Sequence, residues 1–315
     1  MEKYLRGRII KGVGGNYDIL LNSPISLSDG ALTDVIVCRA RGVFRHDGDT
    51  PLVGDLVEIR LDASDNVMIS EILERKNSLI RPPMANLDYL FVMFAAKKPE
   101  PVLHTVDKLI SIAENKKIEP VIIITKADLD MEAAQKYADI YTKSGFTVMI
   151  QGENIDTAHL ENFIRNNLDN KVAAFAGASG IGKSTLLNRL FPELLLETGE
   201  ISKKISRGKH TTRCVSLYTI ETAGDCTQGF IADTPGFSML DFERFDFFGN
   251  DELVYTYREF DKYIGKCRYT KCTHTKEDGC SIIDAVKRGE IPKERHESFV
   301  ALREILKNKH DWDKK

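Results

Sequence analysis

Gly177-Ala178-Ser179-Gly180-Ile181-Gly182-Lys183-Ser184-Thr185 is the stretch whose reading decides the fold. Its spacing is G-x-x-x-x-G-K-[ST], in which glycines let the backbone curl until its N–H groups point at phosphate oxygens. The flanks suit that use. Val172-Ala173-Ala174-Phe175-Ala176 enters as an apolar run of strand type, and Ser184-Thr185-Leu186-Leu187-Asn188-Arg189-Leu190 leaves as a helix. The positive end of a helix dipole at this point favours an anion. Lys183 is expected to bridge the β- and γ-phosphates of a nucleotide, and the Ser184 hydroxyl to bind Mg²⁺. A glycine-rich turn matching by chance is the bland alternative, and a strand and a helix in place on either side argue against it.

A phosphate loop does not choose the base, but two further motifs do. Asp233-Thr234-Pro235-Gly236 follows the apolar run 229–232, so Asp233 is expected at a strand end as a Mg²⁺ ligand, with the Gly236 N–H meeting the γ-phosphate. Thr125-Lys126-Ala127-Asp128 follows Pro120-Val121-Ile122-Ile123-Ile124 directly. A carboxylate there accepts from N1–H and the exocyclic amine of guanine, and adenine lacks that pair of donors. These residues resemble the GTPase superfamily, whose base-reading motif is Asn-Lys-x-Asp. Thr125 stands in place of the Asn; its hydroxyl can donate to guanine N7, and Asp128 carries most of the selectivity. The resemblance implies GTP and GDP as ligands. The order is unusual: the base-reading motif comes first, then the phosphate loop, then Asp-x-x-Gly, which is a circular permutation of the ordinary order. Permutation leaves a site intact when the old termini lie close together.

Between the phosphate loop and Asp233 lies Arg207-Gly208-Lys209-His210-Thr211-Thr212-Arg213, a polar stretch where a switch loop belongs. Thr212, with Thr211 as the alternative, is expected to give Mg²⁺ a hydroxyl when GTP is bound. Phe237 occupies the place where Ras-like enzymes carry a water-orienting glutamine, so His210 is the nearest polar candidate for catalysis. An exposed loop histidine is the competing reading.

Working outward, residues 1–77 hold short apolar or alternating runs at 7–10, 17–21, 35–38, 56–60 and 67–72, separated by turn residues such as Gly14-Gly15-Asn16 and Asp47-Gly48-Asp49. That texture predicts a small closed β-barrel, of OB or SH3-like type. From 78 to 243, strand-like runs (89–95, 121–125, 146–150) alternate with helix-like stretches (103–116, 131–144, 157–168), the rhythm of a mostly parallel sheet with helices. Residues 244–315 hold Cys267, Cys272, His274 and Cys280, with a helix-like stretch at 293–309. Three thiolates and an imidazole at that spacing are the ligand set of a closed, structural zinc site. Cys38, Cys214 and Cys226 stand alone and read as small core residues.

The three parts carry 10 basic and 12 acidic, 18 and 21, and 16 and 14 side chains, so charge alone gives no warrant for a nucleic-acid partner. No apolar stretch reaches the length of a signal peptide or a bilayer span, and the chain reads as cytoplasmic.

Taken together the motifs resemble the RsgA (YjeQ) family of circularly permuted GTPases over nearly the whole length. Pro51-Leu52-Val53-Gly54-Asp55, Arg75-Lys76-Asn77-Ser78-Leu79-Ile80-Arg81-Pro82, Gly208-Lys209-His210-Thr211-Thr212-Arg213, Asp233-Thr234-Pro235-Gly236-Phe237 and Cys-x4-Cys-x-His-x5-Cys carry the likeness. The resemblance implies a multidomain α/β protein: an OB-fold domain at 1–77, a permuted GTPase domain at 78–243 and a zinc-binding domain at 244–315. It further implies ribosome-stimulated GTP hydrolysis, the 30S subunit and 16S rRNA as partners beside ribosome assembly factors, and a monomer bound to no membrane. Two departures stand out: Thr125, and Gln151-Gly152-Glu153-Asn154 where a Ser-Ala-type base contact usually sits. A metabolic P-loop kinase would not need residues 125–128. An RNA-binding scaffold with a vestigial site would not need Lys183, Ser184 and Asp233 intact.

Overall fold

Apolar residues at alternate positions build the amino-terminal barrel. Its strands are β1 (Lys3–Val13), β2 (Asn16–Ser26), β3 (Leu32–Ala40), β4 (Leu56–Leu61) and β5 (Val67–Ile72) in the computed structural model. The structure describes residues 3–26, 30–40, 50–61, 67–192, 215–226, 228–233 and 249–307. β2 pairs antiparallel with both β1 and β3; β3 runs parallel to β5; β4 pairs antiparallel with β5 and with β1, closing the ring. The order β1-β2-β3-β5-β4-β1 decides for the OB barrel over the SH3-like one. Ile9, Ile19, Ile36, Cys38, Val57, Ile59 and Ile69 fill it, each no more than 6% exposed. The β1–β2 hairpin outruns its apolar core because Gly14 and Gly15, both at positive φ, carry the ladder on to the pair Val13–Asn16.

The barrel exit is locked by charge. Asp55 is fully buried, takes the Leu52 N–H at 2.7 Å, and receives the Arg75 guanidinium on both oxygens at 2.7 Å. A bidentate pair in a sealed position fixes orientation as well as energy. Arg8, 7% exposed on β1, donates to the carbonyl of Gly54 and to both oxygens of Asn170, and lies 4.8 Å from the Phe230 ring centre.

The chain folds as two compact units, Met1–Asp88 with Ile164–Ala174 and Glu193–Gly236, and Tyr89–Phe163 with Phe175–Pro192 and Phe237–Lys315. The first contains the barrel, the short pair β6 (Ser78–Leu79) and β7 (Met84–Ala85), and an antiparallel pair, β12 (Ser216–Glu221) with β13 (Gln228–Asp233). β13 runs parallel to residues 172–174 of β11 (Val172–Ala176), and β12 meets β1 at Ser216 and Lys11.

The second unit is organised by parallel strands: β8 (Leu87–Ala95) pairs with β9 (Glu119–Thr125), and β9 with β10 (Thr147–Ile150). β9 is apolar and buried along nearly its whole length, the pattern of a strand covered on both faces. The connecting helices are α1 (Leu103–Asn115), α2 (Met131–Lys143), whose first turn is capped by Asp130 accepting the Ala133 N–H, and α3 (Ala158–Asn167). α4 (Lys183–Leu190) follows the glycine-rich loop. The carboxy-terminal part adds 3₁₀ turns at Leu253–Thr256 and Arg258–Tyr263, then α5 (Ser281–Lys287) and α6 (Lys293–Lys307). Among the described residues no helix is long and apolar enough to cross a membrane.

α6 is joined to α1 through a fully buried ionic cluster. Arg295, 1% exposed, donates from Nε to Glu259 at 2.6 Å and from a terminal nitrogen to Asp107 at 2.6 Å. Tyr141 adds a hydroxyl to Asp107 at 3.0 Å, and the Tyr257 ring centre lies 4.4 Å from the guanidinium carbon. Burial works against the Arg295 charge, yet Asp107 and Glu259 hold it well above its ordinary value. Deleting one partner of such a cluster strands the others in a dry place, a loss of about 3–5 kcal/mol. Arg295→Ala is therefore expected to lower stability by roughly that amount. A urea unfolding midpoint indistinguishable from wild type would show the cluster to be inert.

Candidate functional site

One cavity of about 670 Å³ in the second unit is bordered by the end of β9, the segment after β10 and the start of α4. That volume suits a small ligand such as a nucleoside. The loop before α4 begins at Gly177, whose φ is +153°; a β-carbon there would sit 2.3 Å from the Met93 carbonyl oxygen, so no other residue fits. Gly180 and Gly182, also at positive φ, complete the curl, and Gly182 becomes the N-cap of α4. Buried Leu186, Leu187 and Leu190 anchor that helix, while Ser184 and Thr185 stand exposed in its first turn, after half-buried Lys183.

The same loop is lashed to the residues after β9 and β10. The Thr125 hydroxyl, on a residue 5% exposed, reaches the carbonyl oxygens of Ile181 at 2.6 Å and Phe94 at 3.2 Å. Its single proton is thus taken by backbone, and donation to a base N7, expected from the sequence, is not the contact this geometry gives it. Lys126, in the left-handed region at φ +54°, donates to the carbonyls of Gly180 and Lys98, both at 2.6 Å. Arg189 of α4 donates to the carbonyls of Gly152 and Ile155, both at 2.9 Å.

Asp128 is exposed, in the short 3₁₀ turn Ala127–Leu129, and lines the cavity. Its Oδ1 accepts the Glu153 N–H at 2.9 Å; a β-carbon on Gly152 would stand 2.7 Å from that oxygen, so the glycine lets the loop close on the carboxylate. Thr125, Lys126, Ala127, Asp128 and the run 177–185 are therefore brought together. Asp233 ends β13, its backbone paired with Ser216. His210, Thr212 and Gly236 lie outside the described residues, as do Cys214 and Phe237. Gln151 lies in the stretch 151–154 where the resemblance puts a base contact, and it lines this cavity; the role of Arg189 was not read from the sequence, since it belongs to no spaced pattern.

The second site is the cysteine cluster. The ligand atoms of Cys267, Cys272, His274 and Cys280 all lie within 4.8 Å of one another. Cys267 and Cys280 sulfurs are 3.8 Å apart, too far for a bond, and each is 3.4 Å from Nδ1 of His274. A tetrahedron with zinc–sulfur bonds of about 2.3 Å has edges near 3.8 Å, so the donor set fits that ion. His274 sits at φ +59°, and its carbonyl lies 2.7 Å from His296 Nε2. Glu277 gathers the turn around it: its oxygens accept the N–H groups of Thr273 (2.7 Å), Thr275 (3.0 Å) and Lys276 (3.1 Å), and the Thr273 hydroxyl. Partial burial opposes the Glu277 charge, but those hydrogen bonds bring its carboxyl down to about 2.

Groups that orient a metal ligand usually change metal affinity on the order of 10–100-fold. Glu277→Ala is accordingly expected to weaken zinc binding by that factor, read by competition with a chromogenic chelator, with Glu277→Gln recovering part of the loss. Equal affinity in all three proteins would mean that the turn holds itself.

Comparison with known proteins agrees with this geometry along the whole chain. The family profile described as RsgA GTPase matches residues 72–243, and that described as RsgA N-terminal domain matches residues 6–69. A small ribosomal subunit biogenesis GTPase RsgA of Alkaliphilus metalliredigens is 39% identical over 310 residues, 96% of this chain and 99% of the relative. One of Bacillus subtilis is 39% identical over 308 residues, 96% and 98% of the two chains. The crystal structure of YloQ, described as a circularly permuted GTPase, aligns with a TM-score of 0.74 at 32% identity, covering 98% of this chain and 96% of that one. YjeQ from Thermotoga maritima aligns with 0.77 at 27% identity, covering 98% and 100%. With a barrel, a permuted nucleotide site and a Cys₃His cluster in one chain, and identities of this size over its full length, the protein belongs to the RsgA family of GTPases.

Proposed function

We propose that the protein hydrolyses GTP to GDP and phosphate on the small (30S) ribosomal subunit, as a factor in that particle's late maturation. The observation that carries the reading is the phosphate loop and the carboxylate of Asp128 on the walls of one cavity, lashed together by Thr125, Lys126 and Arg189. A phosphoryl-transfer site needs little covalent chemistry and much positioning, which a fixed loop supplies. The relatives' name, small ribosomal subunit biogenesis GTPase, supports the choice of partner. In this reading the barrel at 1–77 and the cysteine-bearing part at 244–315 flank the GTPase domain at 78–243. Together they meet 16S rRNA, beside assembly factors, and the protein works as a cytoplasmic monomer.

Asp128 selects guanine through N1–H and the exocyclic amine, and Lys183 draws charge off the β- and γ-phosphates as it develops. Mg²⁺, when bound, supplies further neutralisation of the phosphate oxygens, and Ser184, Thr212 and Asp233 would hold it. Water attacks the γ-phosphorus, the bond to the β,γ-bridging oxygen breaks, and GDP leaves with that electron pair. His210 orients the water and can accept its proton. One zinc ion on Cys267, Cys272, His274 and Cys280 is structural, because four protein donors leave no open position.

GTP turnover measured with and without purified small subunits tests the reading. The isolated protein is expected to be slow and the ribosome-bound one faster. Lys183→Ala should abolish both rates while leaving the fold intact. His210→Ala should keep nucleotide and subunit binding and lose most of the stimulated rate, by a factor on the order of 10²–10⁴. Undiminished turnover in Lys183→Ala, or no response to subunits in wild type, would sink the proposal.

A further inference from the structure

Arg189 stands at the end of the helix that the phosphate loop begins. Gly182, Thr185, Leu186 and Arg189, at helical spacing, put one face of α4 on the cavity wall, with the loop at one end and the guanidinium at the other. From there Arg189 reaches two carbonyl oxygens three residues apart, those of Gly152 and Ile155, each at 2.9 Å. The Ile155 N–H returns to the same Gly152 oxygen at 3.3 Å, so the fork spans one tight turn, 152–155. Inside that turn the Glu153 N–H donates to Asp128 Oδ1 at 2.9 Å. Among the described residues only Arg189 and Asp128 lend side chains to the backbone of 152–155.

The turn needs such a hold. Gly152 is required by close approach, since a β-carbon would stand 2.7 Å from Asp128 Oδ1 and 3.1 Å from its backbone nitrogen. The same glycine gives the chain many conformations to lose, and Glu153 and Asn154 after it are exposed. A planar guanidinium suits the task, because its rigid fork loses less freedom per hydrogen bond than a lysine does. We infer that Arg189 is a positioning residue for base selection: by pinning the carbonyls of Gly152 and Ile155 it presents the Glu153 N–H to Asp128 and so aims that carboxylate into the cavity. The inference rests on the nucleotide reading of this cavity. A carboxylate has about four lone-pair sites, of which Glu153 takes one, so room remains for both guanine donors. Held in one orientation, Asp128 can meet N1–H and the exocyclic amine together. Turning freely, it meets both only in the fraction of molecules where it points correctly, and affinity falls by that fraction. A base with one donor fewer then loses less.

The test titrates the full-length, zinc-containing protein with fluorescent GDP. Two competitors then displace it: inosine diphosphate, which lacks the exocyclic amine, and magnesium pyrophosphate, which has no base. Arg189→Met keeps the stem and removes the fork. It should weaken GDP on the order of tenfold, as for a carboxylate correctly aimed about one-tenth of the time. Inosine diphosphate should weaken less, and pyrophosphate should bind as it does to wild type. Arg189→Lys, with one ammonium for two carbonyls, should fall between. Both variants should melt with wild type, because Leu186, Leu187 and Leu190 anchor the helix. Unchanged GDP affinity in Arg189→Met would overturn the inference. So would an equal loss for all three ligands, which would make Arg189 a support of the helix with no part in reading the base.

Asp128→Asn, titrated with XDP and GDP, keeps this outcome apart from failure of the site itself. That variant should shift preference towards XDP, because an amide can meet the carbonyl that replaces guanine's amine. A switch at Asp128 with no effect at Arg189 overturns the present inference alone. No switch at Asp128 overturns the base-binding reading of the cavity with it.

Discussion

The carbonyl oxygen of Ile181 accepts the Thr125 hydroxyl at 2.6 Å, and one residue away the Gly180 carbonyl accepts the Lys126 ammonium at the same distance. These two contacts are the constraint on which the candidate site depends. A loop with glycines at positive φ has many conformations in the unfolded chain and few contacts of its own, so fixing it costs entropy that packing alone does not repay. Here the side chains at the end of β9 hold it by its own carbonyls, which leaves the loop's N–H groups uncommitted to those clamps. Arg189 ties the far end of the same helix to the carbonyls of Gly152 and Ile155, beside Asp128. The phosphate side and the base side of the cavity are thus set by one another. Binding energy is then available for selectivity instead of being spent on ordering the walls.

The metal cluster belongs to the same compact unit as this cavity, and the apolar packing of α6 near α1, with Tyr257, Phe260 and Phe299 buried, holds a charged cluster within it. Arg295 with Asp107 and Glu259 is sealed from water, and Arg258 reaches Glu114 at 2.5 Å and Glu119 at 2.7 Å beside it. Buried ion pairs seldom add stability over a hydrophobic substitute, because the loss of hydration offsets their attraction. What they provide is direction: a planar guanidinium with two carboxylates admits one seating of α6 on α1, where leucines would tolerate several. The cysteine turn follows the 3₁₀ segment that supplies Arg258 and Glu259 and precedes α6, so its position on α1 is fixed from both sides. Glu277 then shapes the turn internally, and the fourfold donor set needs only the ion to close it.

Much of this was legible in the residues. The glycine-rich run, the apolar run before it, the Thr-Lys-Ala-Asp turn after β9 and the Cys₃His spacing each follow from local rules, because each is a contiguous stretch whose chemistry requires those residue types at that spacing. Strands β8 to β11 and helices α1 to α4 fall where alternation of apolar runs and amphipathic stretches puts them, to within two or three residues. The barrel was legible as a barrel, but its type was not. What separates OB from SH3-like order is the parallel pairing of β3 with β5 and the closure of β4 on β1, and pairing is a property of strands far apart in sequence.

Only the tertiary structure decided what each polar group faces. The residue type alone assigned the Thr125 hydroxyl to guanine N7; folding brings the Ile181 carbonyl to it instead. Arg189, Asp107 and Arg295 carry no pattern, and each acquires its role from neighbours that lie 34 to 188 residues away along the chain. The physical reason is the range of the forces involved. Helix, strand and loop preferences act over a few residues and are written locally, whereas a hydrogen bond or an ion pair is decided within about 3 Å of space, among groups that meet only once the whole chain has folded.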